Sequence, residues 1–170
     1  MAGGKHYSDD ETKDWLKKMK SPRLVRVDLD IRVVELAAKT DHRALMKWAT
    51  DCAERVLPYF ERSRPGDDRP RMAIEAGREW ARTGAFRIAD VRRLALAAHA
   101  AAREVEGDAA ARSAARAAGQ AAATAHVPGH AIAAAAYAAT ATRDGVAPAD
   151  ADAAALEESE WQYRHLLELQ

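Results

Sequence analysis

A single cysteine, Cys52, is all the thiol chemistry this chain has, which rules out an intramolecular disulfide and the stapled framework of a small secreted domain. Aromatic side chains are scarce at 6%, so few large wedges are available to fill a core. Neither charge is in excess: 26 basic and 26 acidic residues cancel to a formal charge of zero. Chains that grip nucleic acid or anionic membranes usually carry a basic surplus or a basic face, and the total shows none. Long apolar runs are missing too. The longest low-charge stretch, Ala131 to Thr142, is mostly alanine and too short to span a bilayer. The first twenty residues are polar and charged, without the apolar run of a signal peptide. Glycines occur singly save for Gly3-Gly4, and none opens a phosphate-cradling loop. These absences point to a cytoplasmic protein, with neither nucleic acid nor membrane as its partner.

What the chain has instead is alanine, about a quarter of its 170 residues. Alanine is the best helix former because it loses no side-chain entropy on folding. It also lets helix axes approach closely, since little side chain stands between them. Each buried alanine removes little apolar area from water, at about 25 cal/mol per Å². The few large residues must therefore anchor the core. A chain of this length can bury roughly 70% of its unfolded surface as one domain.

Helical signals recur along the sequence. Ser8 with Glu11 forms a capping box, predicting a short helix over 9–20 that stops at Ser21-Pro22. From Val25 to Val33 apolar residues alternate with charged ones, the period of a half-buried strand, yet 30–39 also reads as helix. With no second segment for a strand to pair with, a helix from about Asp28 is the favoured reading. Asp41 is a good N-cap, and Leu45, Trp48, Ala49, Cys52, Val56 and Phe60 share one helical face. Pro58 is expected to kink or end that helix near Leu57. A turn over 64–69 leads to a helix opened by Pro70, with Ala73, Ala76, Gly77, Trp80 and Ala81 inward and surface pairs Arg71/Glu75 and Glu79/Arg82. Further helices are expected from about Arg87 to Val105 (Ile88, Val91, Ala95, Ala98 and Ala102 inward), over 109–125, and over 128–142. The last is expected from Asp150 to Leu169, anchored by Leu156, Tyr163, Leu166 and Leu167. The pattern predicts an all-α fold: a compact antiparallel bundle, or short helical-hairpin array, of about seven helices. Residues 1–27 form a polar extension with a short helix, and 28–170 form one helical domain.

Candidate chemistry is thin. His126 and His130 have the four-residue spacing of a helical metal pair, but Pro128 and Gly129 interrupt the backbone between them and no glutamate stands beside either. His99 is the natural third ligand. In a simple hairpin about Gly107, at 1.5 Å per residue, it falls roughly 16 Å from His126, too far to share an ion. Histidines that cap or bridge helices are the better reading, and no metal or cofactor is expected. Cys52 faces the core, where cysteine behaves as a small hydrophobe. Asp51 and Glu54, three apart, are read as a solvated helix edge rather than an acid/base pair. Arg87, Arg92 and Arg93 after Gly84 can be forced into a helix-turn-helix, but the short turn and balanced charge argue against it. No catalytic residues are assigned, and the chain is read as a non-enzyme.

Several strings taken together resemble a known family. They include Trp48-Ala-Thr-Asp-Cys-Ala-Glu-Arg-Val-Leu-Pro-Tyr-Phe-Glu61, Arg69-Pro-Arg-Met-Ala-Ile74, Ser113-Ala-Ala-Arg-Ala-Ala-Gly-Gln-Ala-Ala-Ala-Thr-Ala-His126 and Trp161-Gln-Tyr-Arg-His-Leu-Leu-Glu-Leu169. From about Asp41 to Leu169 the chain resembles the all-helical immunity proteins grouped with polymorphic toxin systems of bacteria and archaea. The resemblance implies a non-enzymatic partner that binds and neutralises a cognate toxin domain, and it brings no catalytic residues with it. The polar rims around Arg69, Arg71 and Trp80, or around His126 and His130, are the candidate binding residues. Two other classes stand beside it. One is a histidine-containing helical bundle that binds metal or acts as an enzyme; the other is a scaffold whose alanine faces make a homo-oligomer.

Overall fold

Three of the described helices begin at an aspartate whose side chain caps the first turn. The computed structural model describes residues 25, 27–85 and 87–170, so the capping box at Ser8 and the helix expected over 9–20 lie outside the described residues. Asp30 caps α1 (Ile31–Ala37) by accepting from the Arg32 amide. The helix thus begins three residues after the expected Asp28: residues 25 and 27–30 are neither strand nor helix, Val33 and Val34 are buried in α1, and no strand occurs among the described residues. Asp41 caps α2 (His42–Ser63) through two amides, Arg43 at 2.9 Å and Ala44 at 3.1 Å. Pro70 sits in the first turn of α3 (Arg69–Thr83), where a missing N–H costs nothing, and Gly84 closes that helix at φ 64°, a conformation that favours glycine. The remaining helices are α4 (Ile88–Glu104), α5 (Ala109–Ala123), α6 (His130–Asp144) and α7 (Ala151–Glu168). None of the helices is long and apolar enough to cross a membrane among the described residues.

The centre of the fold is α5, which packs against α2, α3, α4 and α6. A helix can have four neighbours only if nearly its whole circumference is small. Of its fifteen residues, eleven are buried alanine, glycine or serine. Arg112, Arg116 and Gln120 lie four apart on the one strip that is not fully buried. Around this axis Trp48, Phe60, Met46, Leu57, Ile74 and Leu166 act as wedges, each wholly buried. The other helices complete the packing: α6 touches α2 and α7, and α1 lies on α7.

Three expectations fail for instructive reasons. Pro58 neither ends nor splits α2, which runs unbroken to Ser63. Val56 and Leu57 before it and Phe60 after it are all buried, so core packing on both sides offsets the missing hydrogen bond. Ile88 is exposed because the first turn of α4 overhangs the packed region, whereas Val91, Ala95, Ala98 and Ala102 are buried as expected. On α7 the buried stripe is Ala151, Ala155, Glu158, Gln162 and Leu166. Leu156 and Leu167 each follow a stripe residue, turned about 100° past it, and are 71% and 45% exposed.

Polar residues on that stripe bond to near neighbours, save for the Gln162 side-chain oxygen, which is buried without a donor. The Gln162 amide donates to the Ala135 carbonyl at 3.0 Å and to Glu158 at 3.2 Å. Arg55 donates to the other Glu158 oxygen at 3.0 Å while its guanidinium lies 3.9 Å from the Trp161 ring centre. Trp48 donates its indole N–H to the Gln162 carbonyl at 2.9 Å. This chain fastens α7 to α2 and α6.

Candidate functional site

The expected binding residues fall into two places. Arg69 and Arg71 stand at the start of α3, and Trp80 lies near its end. At 1.5 Å per residue, Arg71 and Trp80 are about 14 Å apart along the helix, so the three do not form one site. Both arginines have internal carboxylate partners. Arg69 holds Asp67 at 2.6 Å and Glu104 at 2.5 Å, tying the turn before α3 to the end of α4. Arg71 reaches Glu61 at 2.6 Å and Glu54 at 3.4 Å on α2, rather than Glu75 on its own helix. The Glu79–Arg82 pair forms as expected. Trp80 leans on the ring of His42, 4.7 Å between centres. The His42 Nε2–H in turn donates to the Thr124 carbonyl at 2.5 Å, at the end of α5. These contacts brace the bundle.

Carboxylates on α2 are used in the same manner. Arg78 bridges Asp51 at 3.2 Å and Glu54 at 2.8 Å, and Asp51 also holds Lys47 and His165. The two acids thus serve an ion-pair network rather than each other. Beside them runs a groove of about 490 Å³, with Arg43, Lys47, Arg78 and Arg82 among its walls. Most of its cations already have a carboxylate. Cys52 is wholly buried, and burial pushes its thiol well above the ordinary range.

The second place is different. His126 and His130 lie with ring centres 5.4 Å apart, at the turn into α6. His130 uses its Nδ1–H to donate to the Gln120 side-chain oxygen of α5 at 2.7 Å, so it bridges two helices. His99 of α4 lies flat over Gly119: a Cβ there would stand 2.7–2.9 Å from three atoms of its ring. The simple hairpin puts His99 opposite residue 115. Instead it sits about one helical turn further along α5, so His99 and His130 flank the adjacent residues Gly119 and Gln120. No three His, Cys, Asp or Glu side chains converge to hold a metal ion among the described residues.

Electrostatics make this cluster unusual. The His99 pKa falls to about 4 because burial disfavours its charged form, and the charges of Arg116, Arg103 and His130 oppose protonation further. Burial also lowers His126, with help from Arg92, and lowers His130, with help from His126. All three imidazoles are neutral at pH 7 and sit among guanidiniums. Arg116 is partly buried, its guanidinium carbon 6.0 Å from the Tyr137 ring centre, and its Nε is buried without an acceptor. Among the described residues, none of Arg92, Arg103 and Arg116 forms an ion pair with a carboxylate. Leu96, 61% exposed, lies on the strip of α4 between Arg92 and Arg103. Val127, 45% exposed, lies beside His126.

Sequence reasoning found His126 and His130, met Arg92 only in the rejected helix-turn-helix reading, and missed Arg103, Arg116 and Gln120. A signal existed: on a helix otherwise made of small residues, Arg112, Arg116 and Gln120 recur every four positions, the mark of a single solvent-facing strip.

Among the described residues the fold is a platform of helices on which three histidines stand beside cations that have no carboxylate partner. Residues 35–169 match the family described as "Imm-5 like putative immunity protein", and the chain belongs to that family. No curated protein and no solved structure matches it.

Proposed function

We propose that the protein works as a non-enzymatic, cytoplasmic immunity partner that binds a cognate toxin domain and blocks it by covering its surface. Family membership over residues 35–169 is the observation that carries this reading. The architecture supports it, because a bundle braced by ion pairs offers a preorganised surface and binding then costs little ordering entropy. A specific interface of this kind takes ~800 Å² from each partner, with aromatic or arginine anchors near its middle. Of the two candidate rims, the one at His126 and His130 is the better, since Arg69 and Arg71 already have internal carboxylate partners.

The test is co-expression with a toxin domain found encoded beside this gene. Restored growth of the host together with a stoichiometric complex on gel filtration is the expected result. A toxin that kills equally well with and without this protein, and that does not co-purify with it, would discard the proposal.

A further inference from the structure

The exposed face built by α4, α5 and the start of α6 gathers Arg92, Arg103 and Arg116, none of which has a carboxylate partner among the described residues. On α4, Arg92, Leu96, His99 and Arg103 follow one another at four, three and four residues, which aligns them on one side of the helix. Mutual electrostatic influence ties them to the neighbouring helices: Arg103 and Arg116 both act on His99, and Arg92 acts on His126. The groove between α2 and α3 is also rich in cations, but there Asp51 and Glu79 neutralise Lys47, Arg78 and Arg82, and among the described residues only Arg43 of its cations has no carboxylate partner. On the α4–α6 face no carboxylate pairs with Arg92, Arg103 or Arg116 among the described residues.

A partly desolvated cation without a counter-charge is unfavourable unless an anion arrives from outside. Among the described residues the Arg116 Nε, buried with no acceptor, is such a group. We propose that this face docks an acidic protein surface, with a partner carboxylate supplying the counter-charge that Arg116 lacks. The identity of that partner as a toxin domain rests on the function proposed above; the acidic character rests on the face itself. Protein is favoured over nucleic acid for two reasons. Exposed Leu96 and Val127 interrupt the cationic strip, as in a mixed protein interface. The histidines add no charge at neutral pH, so a continuous phosphate track is lacking.

Two charge-reversal variants with the same change in net charge test the proposal. Arg92→Glu/Arg103→Glu alters this face, and Lys47→Glu/Arg82→Glu alters the rival groove. Poly-L-glutamate serves as the acidic probe and a DNA duplex as the competing one, both measured calorimetrically at low salt, with circular dichroism confirming the fold. Poly-L-glutamate is expected to bind the unaltered protein and to bind the face variant about tenfold or more weakly, while the groove variant is nearly unaffected. Arg116→Met is expected to weaken binding with thermal stability unchanged or raised, which a purely structural arginine would not do. Equal losses in both reversals, no binding of poly-L-glutamate, or tighter binding of the duplex would overturn the proposal. The co-expressed toxin domain separates the two readings. A toxin that binds the face variant as well as the unaltered protein removes the acidic docking face and leaves the immunity role standing. A toxin that never binds, beside poly-L-glutamate that does so through this face, removes the role and keeps the face.

Discussion

Replacing His99 by glutamine removes a titrating ring from the α4–α5 contact while keeping a side chain of similar reach. In the fold this imidazole titrates at about 4, against 6.5 for an ordinary histidine. Between those values the unfolded chain takes up a proton here and the folded protein does not. Stability supplied by the neutral ring is therefore complete above pH 6.5, falls as the pH drops towards about 4, and loses nothing more below that. The gap corresponds to about 3 kcal/mol at most, and residual contact with solvent trims it to about 2 kcal/mol. Urea unfolding of both proteins, at about pH 7 and about pH 4.5, measures the difference. The unaltered protein should lose about 2 kcal/mol more than His99→Gln on acidification. Carboxylates with lowered pKa, such as Asp30, Asp51 and Asp67, titrate in both proteins and cancel. So do His126 and His130. Identical losses, or a nuclear magnetic resonance titration of His99 with a midpoint near 6.5, would refute the argument.

Arg55→Ala strands the Glu158 carboxylate, whose side chain is 3% exposed, and should cost about 3 kcal/mol in thermal or chemical unfolding. In a Glu158→Gln background the same change should cost far less; equal costs would show that Arg55 acts through its packing on Trp161. Gly77→Ala brings a Cβ within 2.9 Å of the Met46 sulfur and of a Thr50 methyl at the α2–α3 crossing. Overpacking of about 2 kcal/mol outweighs a gain of about 1 kcal/mol in helix propensity, so the midpoint temperature should fall by about 2–4 °C; a rise would mean that the two helices can part freely. Cys52 should resist thiol reagents in the native protein and react promptly in denaturant, because burial keeps it protonated. Rapid native labelling would contradict its placement.

Some of the fold was legible from periodicity because the responsible forces are local. Asp41 at a helix start, Pro70 in a first turn and Gly84 after a last turn suit the needs of the backbone within a few residues. The face Leu45–Phe60 of α2 was readable because large apolar residues mark it unambiguously. On α7 the same logic failed: the inward stripe carries Glu158 and Gln162, while two leucines stand outside it. No local rule says that a glutamate will find Arg55, 103 residues away in sequence.

The histidine site shows the same division. Spacing paired His126 with His130, but only packing brought His99 to Gly119 and Arg116 within electrostatic reach of it, since helix crossing shifts the register that simple hairpin arithmetic assumes. By composition and spacing alone, this sequence determined that it would be helical, where most helices would start, and that small residues would line their contacts. Tertiary structure decided which alanine-rich helix became the axis, which charges were paired, and which face kept cations without partners. Those outcomes depend on the fit of whole surfaces, and shape complementarity between distant segments leaves no periodic trace in the chain.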